Sequence, residues 1–331
     1  MLEKRDSNII KAIAITLVIL SHLSTMLPAI DDYTRNLPAT GGVCLFLFLS
    51  GYGTYLSYAK NGMHRGFWEN KFDRIFLPYW IVTLLFVLLM RRDLSASNLA
   101  SNFLFIDFAR NIDGSMWYMS FIVLMYALTF LIFFAKTNDL IKILLLGVAC
   151  FCIRGIALEG TFFDKCSWQF TQNSFSYPLG MLFAWMSTTQ VAQKWASVLR
   201  PTTVKIFFLL FGIAGYTTVT LLFRGSLEYF QIHGIFLCMI IFSLVSLIRP
   251  LLPELLVRGL NRAGEASYTA YLVEMKLLII VAAILPSGTA IGKLALFVVL
   301  LAVSTITFEL LWHFLRKLTR KNDPKSAPKP V

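Results

Sequence analysis

Ten runs of apolar residues, each bounded by polar or charged positions, follow one another along the chain. They fall at about 8–28, 41–59, 75–90, 117–135, 140–158, 174–188, 204–223, 229–248, 268–286 and 291–315. Most are near the roughly 20 residues that an α-helix needs to cross a hydrocarbon layer about 30 Å thick, the third and sixth being shorter. They are too long and too uniformly apolar for barrel strands, whose side chains alternate between lipid and lumen. In lipid a segment must pair its own backbone groups, so the pattern predicts an all-α polytopic membrane protein, a bundle of about ten transmembrane helices. The helical domain is expected over residues 1–315, and a basic, disordered cytoplasmic tail over 316–331. The basic start MLEKRDSNII with its apolar run is read as a retained helix, because its small-residue cleavage signature is weak.

Composition narrows the class. Hydrophobic residues make up 57% of the chain and charged residues 15%. A soluble domain is nearer 25% charged, so disordered proteins, disulfide-knitted secreted domains and conventional soluble enzymes are excluded. The net charge is +12, but no basic stripe interleaved with aromatics lies outside the apolar runs, so no nucleic-acid partner is expected. The charge instead sets topology. Most of the 30 Lys and Arg residues sit in alternate connections that begin with the N-terminus, which places both termini in the cytoplasm. Of the five cysteines only Cys166 lies in a loop, on the outer side. No disulfide between loops and no metal site is expected.

Ionisable groups within spans are costly, about 2.5–3.5 kcal/mol each on insertion scales, and are therefore candidates for function. Lys11 and His22 are eleven residues apart, about 20° past three helical turns, so they share a face about 16 Å apart along the axis. Lys11 alone can snorkel to the headgroups. His22 cannot easily do so, and Ser21, Ser24 and Thr25 surround it with polar groups. A neutral imidazole is suited to taking and returning a proton, although a structural role is open too. In ENKFDRIFLPYW, Lys71 and Arg74 face the same way if the segment is helical. They are either ordinary cytoplasmic charge or a clamp for phosphate or carboxylate. FLFLSGYGTYLS brings Ser50, Gly51 and Gly53 into one stretch suited to close helix packing. The connection 91–116 carries Arg91, Arg92, Asp107, Arg110 and Asp113, candidates to line an outer cleft, and leads to Trp117 and Tyr118, which also suit an interfacial anchor. In ASYTAYLVEMK, Tyr268, Tyr271 and Glu274 recur on one face. Lys276 is on the wrong face to pair with Glu274, so the partner of that carboxylate is expected on another helix.

Taken together these motifs resemble the integral-membrane acyltransferase 3 family. The Lys11 to His22 spacing in IIKAIAITLVILSHL resembles its opening pattern of a basic residue, ten residues, then His. FLFLSGYGTYLS, Lys71-Phe-Asp-Arg74 with Leu77-Pro78, Met116-Trp117-Tyr118 and Ser267-Tyr268-Thr269-Ala270-Tyr271-Leu272 follow in matching order. The likeness spans about residues 4–315. Two positions depart from it: the family more often has Arg at Lys11, and often has His where this chain has Glu274.

The resemblance implies a stand-alone O-acyltransferase that uses acyl-coenzyme A, usually acetyl-coenzyme A, as donor. The acceptor would be a hydroxyl of a surface polysaccharide, lipopolysaccharide, peptidoglycan or lipid-linked sugar. It makes His22, with Glu274 second, the candidates for catalysis, and Lys11, Lys71 and Arg74 those for the donor. Ser50, Trp117, Tyr118, Tyr268 and Tyr271 are candidates for substrate binding. The competing class is a glycan or lipid transporter or flippase, although the two halves show no repeated pattern of broken helices.

Overall fold

The computed structural model describes residues 3–24, 26, 37–64, 66–90, 95–110, 112–190, 194, 202–223 and 227–321. Thr25, Arg91, Arg92 and the tail from 322 lie outside them. Among the described residues the structure is predominantly helical, with no strand, and nine helices are long and apolar enough to cross a membrane. Helix α1 spans Lys4–Leu23 and α2 spans Leu37–Asn61. The third run begins earlier than expected, at Gly66 rather than 75, and gives α3, Gly66–Met90. Its first turns carry Glu69, Lys71, Asp73 and Arg74, which lower the local hydropathy without breaking the helix.

The short amphipathic α4 is Ala96–Phe103. It is followed by a 3₁₀ turn, Gly114–Met116, and by α5, Trp117–Phe133. Then come α6, Asp139–Leu158; α7, Ser167–Asn173; and α8, Ser176–Thr188. The sixth run gives only the thirteen-residue α8, which is not among the nine candidate spans; Ser174 and Phe175 separate it from α7, and Pro178 sits in its first turn, where its missing N–H does no harm. Helices α9, Thr202–Phe223, and α10, Leu227–Ile248, form a hairpin. A twelve-residue helix, α11, Glu254–Glu265, is too short to span; it buries Val257 and leaves Leu255 exposed. Helix α12 is Ser267–Ile284 and α13 is Ala290–Lys321. The last helix runs six residues past the expected boundary at 315. Arg316, Lys317, Arg320 and Lys321 are therefore helical rather than part of a disordered tail, since nothing in RKLTRK breaks a helix.

The core is built mainly from α1–α3, α5–α8 and α12, with large apolar side chains such as Leu85, Leu89, Leu131 and Leu310 exposed on the outside, as lipid contact requires. The most extensive helix contact is between α2 and α8. A Cβ on Gly51 would lie 2.0 Å from the Tyr177 carbonyl oxygen, and one on Gly180 would lie 2.0 Å from that of Phe48. The reciprocal glycines let the two backbones touch. Gly53, expected to share this role, faces open space.

Candidate active site

Helix α1 ends with His22 in its last turn, and α12 carries Glu274 about 10 Å in from Ser267. The two meet: His22 Nδ1 lies 2.6 Å from Glu274 Oε1. Glu274 is fully buried, whereas the His22 side chain keeps 22% of its surface exposed. A carboxylate so buried needs a charge-assisted partner, and the short contact is of that kind. It is the partner on another helix that the position of Glu274 called for. With Nδ1–H donating to Oε1, the tautomer is set and Nε2 is the ring nitrogen that accepts a proton. Among the described residues, Glu274 Oε2 has no hydrogen-bond partner.

A second buried pair adjoins the first. Lys276 Nζ lies 2.7 Å from Asp113 Oδ2, both side chains being almost fully enclosed. The other Asp113 oxygen accepts from the Ser115 backbone N–H at 2.8 Å and from the Ser115 hydroxyl at 2.7 Å, which caps the 3₁₀ turn. Burial acts to raise the Asp113 pKa, but the Lys276 ammonium and the Ser115 donors outweigh it and hold the carboxyl below its ordinary value. Asp113 acts electrostatically on both His22 and Glu274, so the four groups form one cluster. Sequence reasoning saw Asp113 only as a residue of an outer cleft and Lys276 only as unable to reach Glu274. Their pairing spans 163 positions, and its only local signal was an Asp ahead of Gly114-Ser115-Met116.

The aromatic candidates lie between this cluster and Lys71. The Tyr271 hydroxyl donates to the Ser115 carbonyl at 2.8 Å, and its ring meets that of Tyr118 edge-on at 5.4 Å. Ser50 neighbours both Tyr118 and Tyr126. The Lys71 ammonium lies 3.7 Å from the centre of the Tyr126 ring, a cation–π contact. Tyr268 donates to the Ile75 carbonyl at 2.7 Å, so it holds α3 rather than facing an open site. Six residues separate Tyr268 from Glu274, about 9 Å along α12. Trp117 is half-buried and packs edge-on against Tyr118 and Phe121.

Residues Phe72–Phe76 form a π-helical turn, in which the Leu77 N–H bonds to the Phe72 carbonyl; Lys71 lies over Tyr126, Arg74 is exposed, and the Arg74 charge acts on Lys71. Pro78 cannot donate to the Arg74 carbonyl, and the wider turn accommodates that loss. Arg316, missed in the sequence, donates to the Asp73 carbonyl at 2.7 Å and adds a cation to the Arg74 side. Asp107 and Asp113 are buried rather than lining an open cleft. Cys166, expected in an open loop, is buried, which pushes its thiol up to about 11. Lys11 is half-buried on α1, and the charges that act on it are Lys4 and Glu265, where α1 meets α11.

A separate apolar cavity of about 460 Å³, lined by Phe48, Phe183, Phe208 and Phe242, opens between α2, α8, α9 and α10 and contains none of these residues. The model of the acyltransferase 3 family, described as an acyltransferase domain, matches residues 5–311, which include every residue of the cluster. No curated protein and no solved structure matches the chain.

Proposed function

The chain belongs to the acyltransferase 3 family, and from that premise we propose that this membrane acyltransferase moves an acetyl group from acetyl-coenzyme A to a hydroxyl of a surface glycan. The observation that carries the proposal is the 2.6 Å contact between His22 and fully buried Glu274. An oriented imidazole is what removal of a hydroxyl proton requires. Glu274 has no exposed surface and its Oε1 is taken by the ring, so it positions the base rather than acting as one.

In the proposed reaction His22 Nε2 takes the proton of the acceptor hydroxyl. The freed oxygen attacks the thioester carbonyl, the carbon–sulfur bond breaks, and the coenzyme A thiolate takes the proton back from the imidazolium. Exposed Arg74 and half-buried Arg316, Lys71 and Lys11 supply positive charge for the donor phosphates. The thioester arm would pass Tyr126, Ser50 and Tyr118 toward His22. In this reading donor binding and both termini are on the cytoplasmic side of the bacterial inner membrane and the acceptor is at the other end. Family membership weighs against the transporter alternative.

The test is to compare, by mass spectrometry, the surface glycans of cells with and without this protein. The reading expects one class of glycan to lose an acetyl unit when the protein is absent. Identical glycans would contradict the acceptor assignment.

A further inference from the structure

The apolar cavity of about 460 Å³ between α2, α8, α9 and α10 changes character along its length. Its walls are side chains such as Leu179, Leu182, Phe183, Phe208 and Phe242, and Ser176 and Gly234 bound one end. At the other end stand Lys205, Ser243 and Ser246. Ser243 and Ser246, three residues apart, share a face of α10. The Lys205 ammonium donates to the Ser246 carbonyl at 3.3 Å. That bond uses one of its three hydrogens, and among the described residues no carboxylate pairs with it. Arg249, the cation just past α10, is bonded at 2.8 Å to both Glu3 and Asp6, so its charge is already balanced. From Gly234 to Ser246 the cavity follows α10 for about 18 Å, close to the roughly 15 Å that one leaflet gives to a hydrocarbon layer. Phe183, Met186, Phe208 and Ile235 of its wall are exposed, so the cavity opens sideways where the bundle meets lipid.

We propose that this cavity is a binding site for one anionic phospholipid. An acyl chain lies along α10 among the phenylalanine rings, and the phosphate meets the Lys205 ammonium, with the Ser243 and Ser246 hydroxyls beside the ester groups. Charge complementarity decides the occupant. A neutral hydrocarbon would fill the apolar length but leave the ammonium without a counter-charge. A small anion would meet the ammonium but leave the rings uncovered. A molecule with one anionic head and a chain of leaflet length satisfies both ends. Its chain would also fill the space beside Phe48, whose backbone touches Gly180, and so would support the α2–α8 contact. The site contains no residue of the His22 cluster and is independent of the acyl-transfer reading.

The experiment releases the full-length protein from nanodiscs of equal phosphatidylglycerol and phosphatidylcholine, with palmitate and a polyprenyl phosphate added as competitors. Native mass spectrometry reads what each chain retains. Wild type should keep one phosphatidylglycerol per chain in preference to phosphatidylcholine. The attraction of one basic residue to an anionic headgroup corresponds to about fivefold in affinity, so Lys205→Met should reduce that preference about fivefold. Leu182→Trp, which fills the slot, should lose the bound lipid. Equal retention of the two phospholipids by wild type marks annular lipid only and overturns the inference. So does an unchanged preference in Lys205→Met, or undiminished lipid in Leu182→Trp. Preferential retention of palmitate or of the polyprenyl phosphate, or a mass of two chains without lipid, overturns it by naming another occupant. Should Leu182→Trp fail to fold, Lys205→Met, a change at a half-buried position, decides alone.

Discussion

Glu274→Gln isolates the role of the carboxylate with little change of shape. The side chain is fully buried and its Oε1 lies 2.6 Å from His22 Nδ1. The amide removes the negative charge that stabilises the imidazolium formed when a proton is taken. It can also turn its NH₂ toward Nδ1, which would hold the ring in the wrong tautomer. In the Ser-His-Asp arrangement the corresponding exchange costs about 10⁴ in kcat. Here the Asp113 charge still acts on the ring, so part of the electrostatic support survives and a loss of about 10²–10⁴ is expected. At 1.36 kcal/mol per decade, that is about 3–5 kcal/mol of transition-state stabilisation. The loss should appear in kcat, with KM for the donor unchanged, because Glu274 is removed from the cations assigned to the phosphates. Stopped-time assays of thiol release by purified protein, with folding checked by melting temperature, measure both. A folded Glu274→Gln protein with kcat within about threefold of wild type would refute the orienting role.

Other outcomes follow from the packing and charges. Lys276→Met leaves Asp113 buried without its ammonium and should destabilise the protein by about 3–5 kcal/mol, whereas Lys276→Met with Asp113→Asn should recover most of that, as read from melting temperatures in detergent. Because the Asp113 pKa is depressed on folding, the stability it adds is present above the unfolded value near 3.9 and is lost as pH falls below it. The acid side of the stability curve should therefore flatten in Asp113→Asn. Gly51→Ala drives a Cβ to 2.0 Å from the Tyr177 carbonyl and should cost about 1–3 kcal/mol, while Gly53→Ala meets nothing and should cost none; equal melting temperatures would contradict the α2–α8 contact. Arg74→Ala with Arg316→Ala should raise KM for acetyl-coenzyme A more than it lowers kcat, and an unchanged KM would remove these residues from donor binding.

The helices were legible because a lipid environment forces the apolar runs into the one backbone form that pairs all its own groups. Boundaries slipped where charge and helix coincide, as in Glu69 to Arg74 and in Arg316 to Lys321, since hydropathy reports solvent and not backbone. Helical spacing put Lys11 and His22 on one face and showed that Glu274 needed a partner elsewhere. It could not say that the partner was His22, because that contact joins residues 252 positions apart. The π turn ahead of Pro78 was not legible in the spacing, because it changes the angle per residue between Lys71 and Arg74. Gly51 and Gly53 looked alike in sequence, and only the docking of α8 distinguishes them. Cys166 and Asp113 looked exposed because they lie between apolar runs, yet the connections that carry them fold inward.

The central claim is that His22 carries the proton of an acyl transfer. It is tested most directly by following radiolabelled acetyl-coenzyme A with purified wild type, His22→Ala and His22→Gln in lipid nanodiscs. Wild type should move the label to glycan extract. Both variants should bind the donor as wild type does and lose transfer by about 10²–10⁴, since neither a methyl group nor an amide can take a proton. Transfer by folded His22→Ala at a rate near that of wild type would contradict the account.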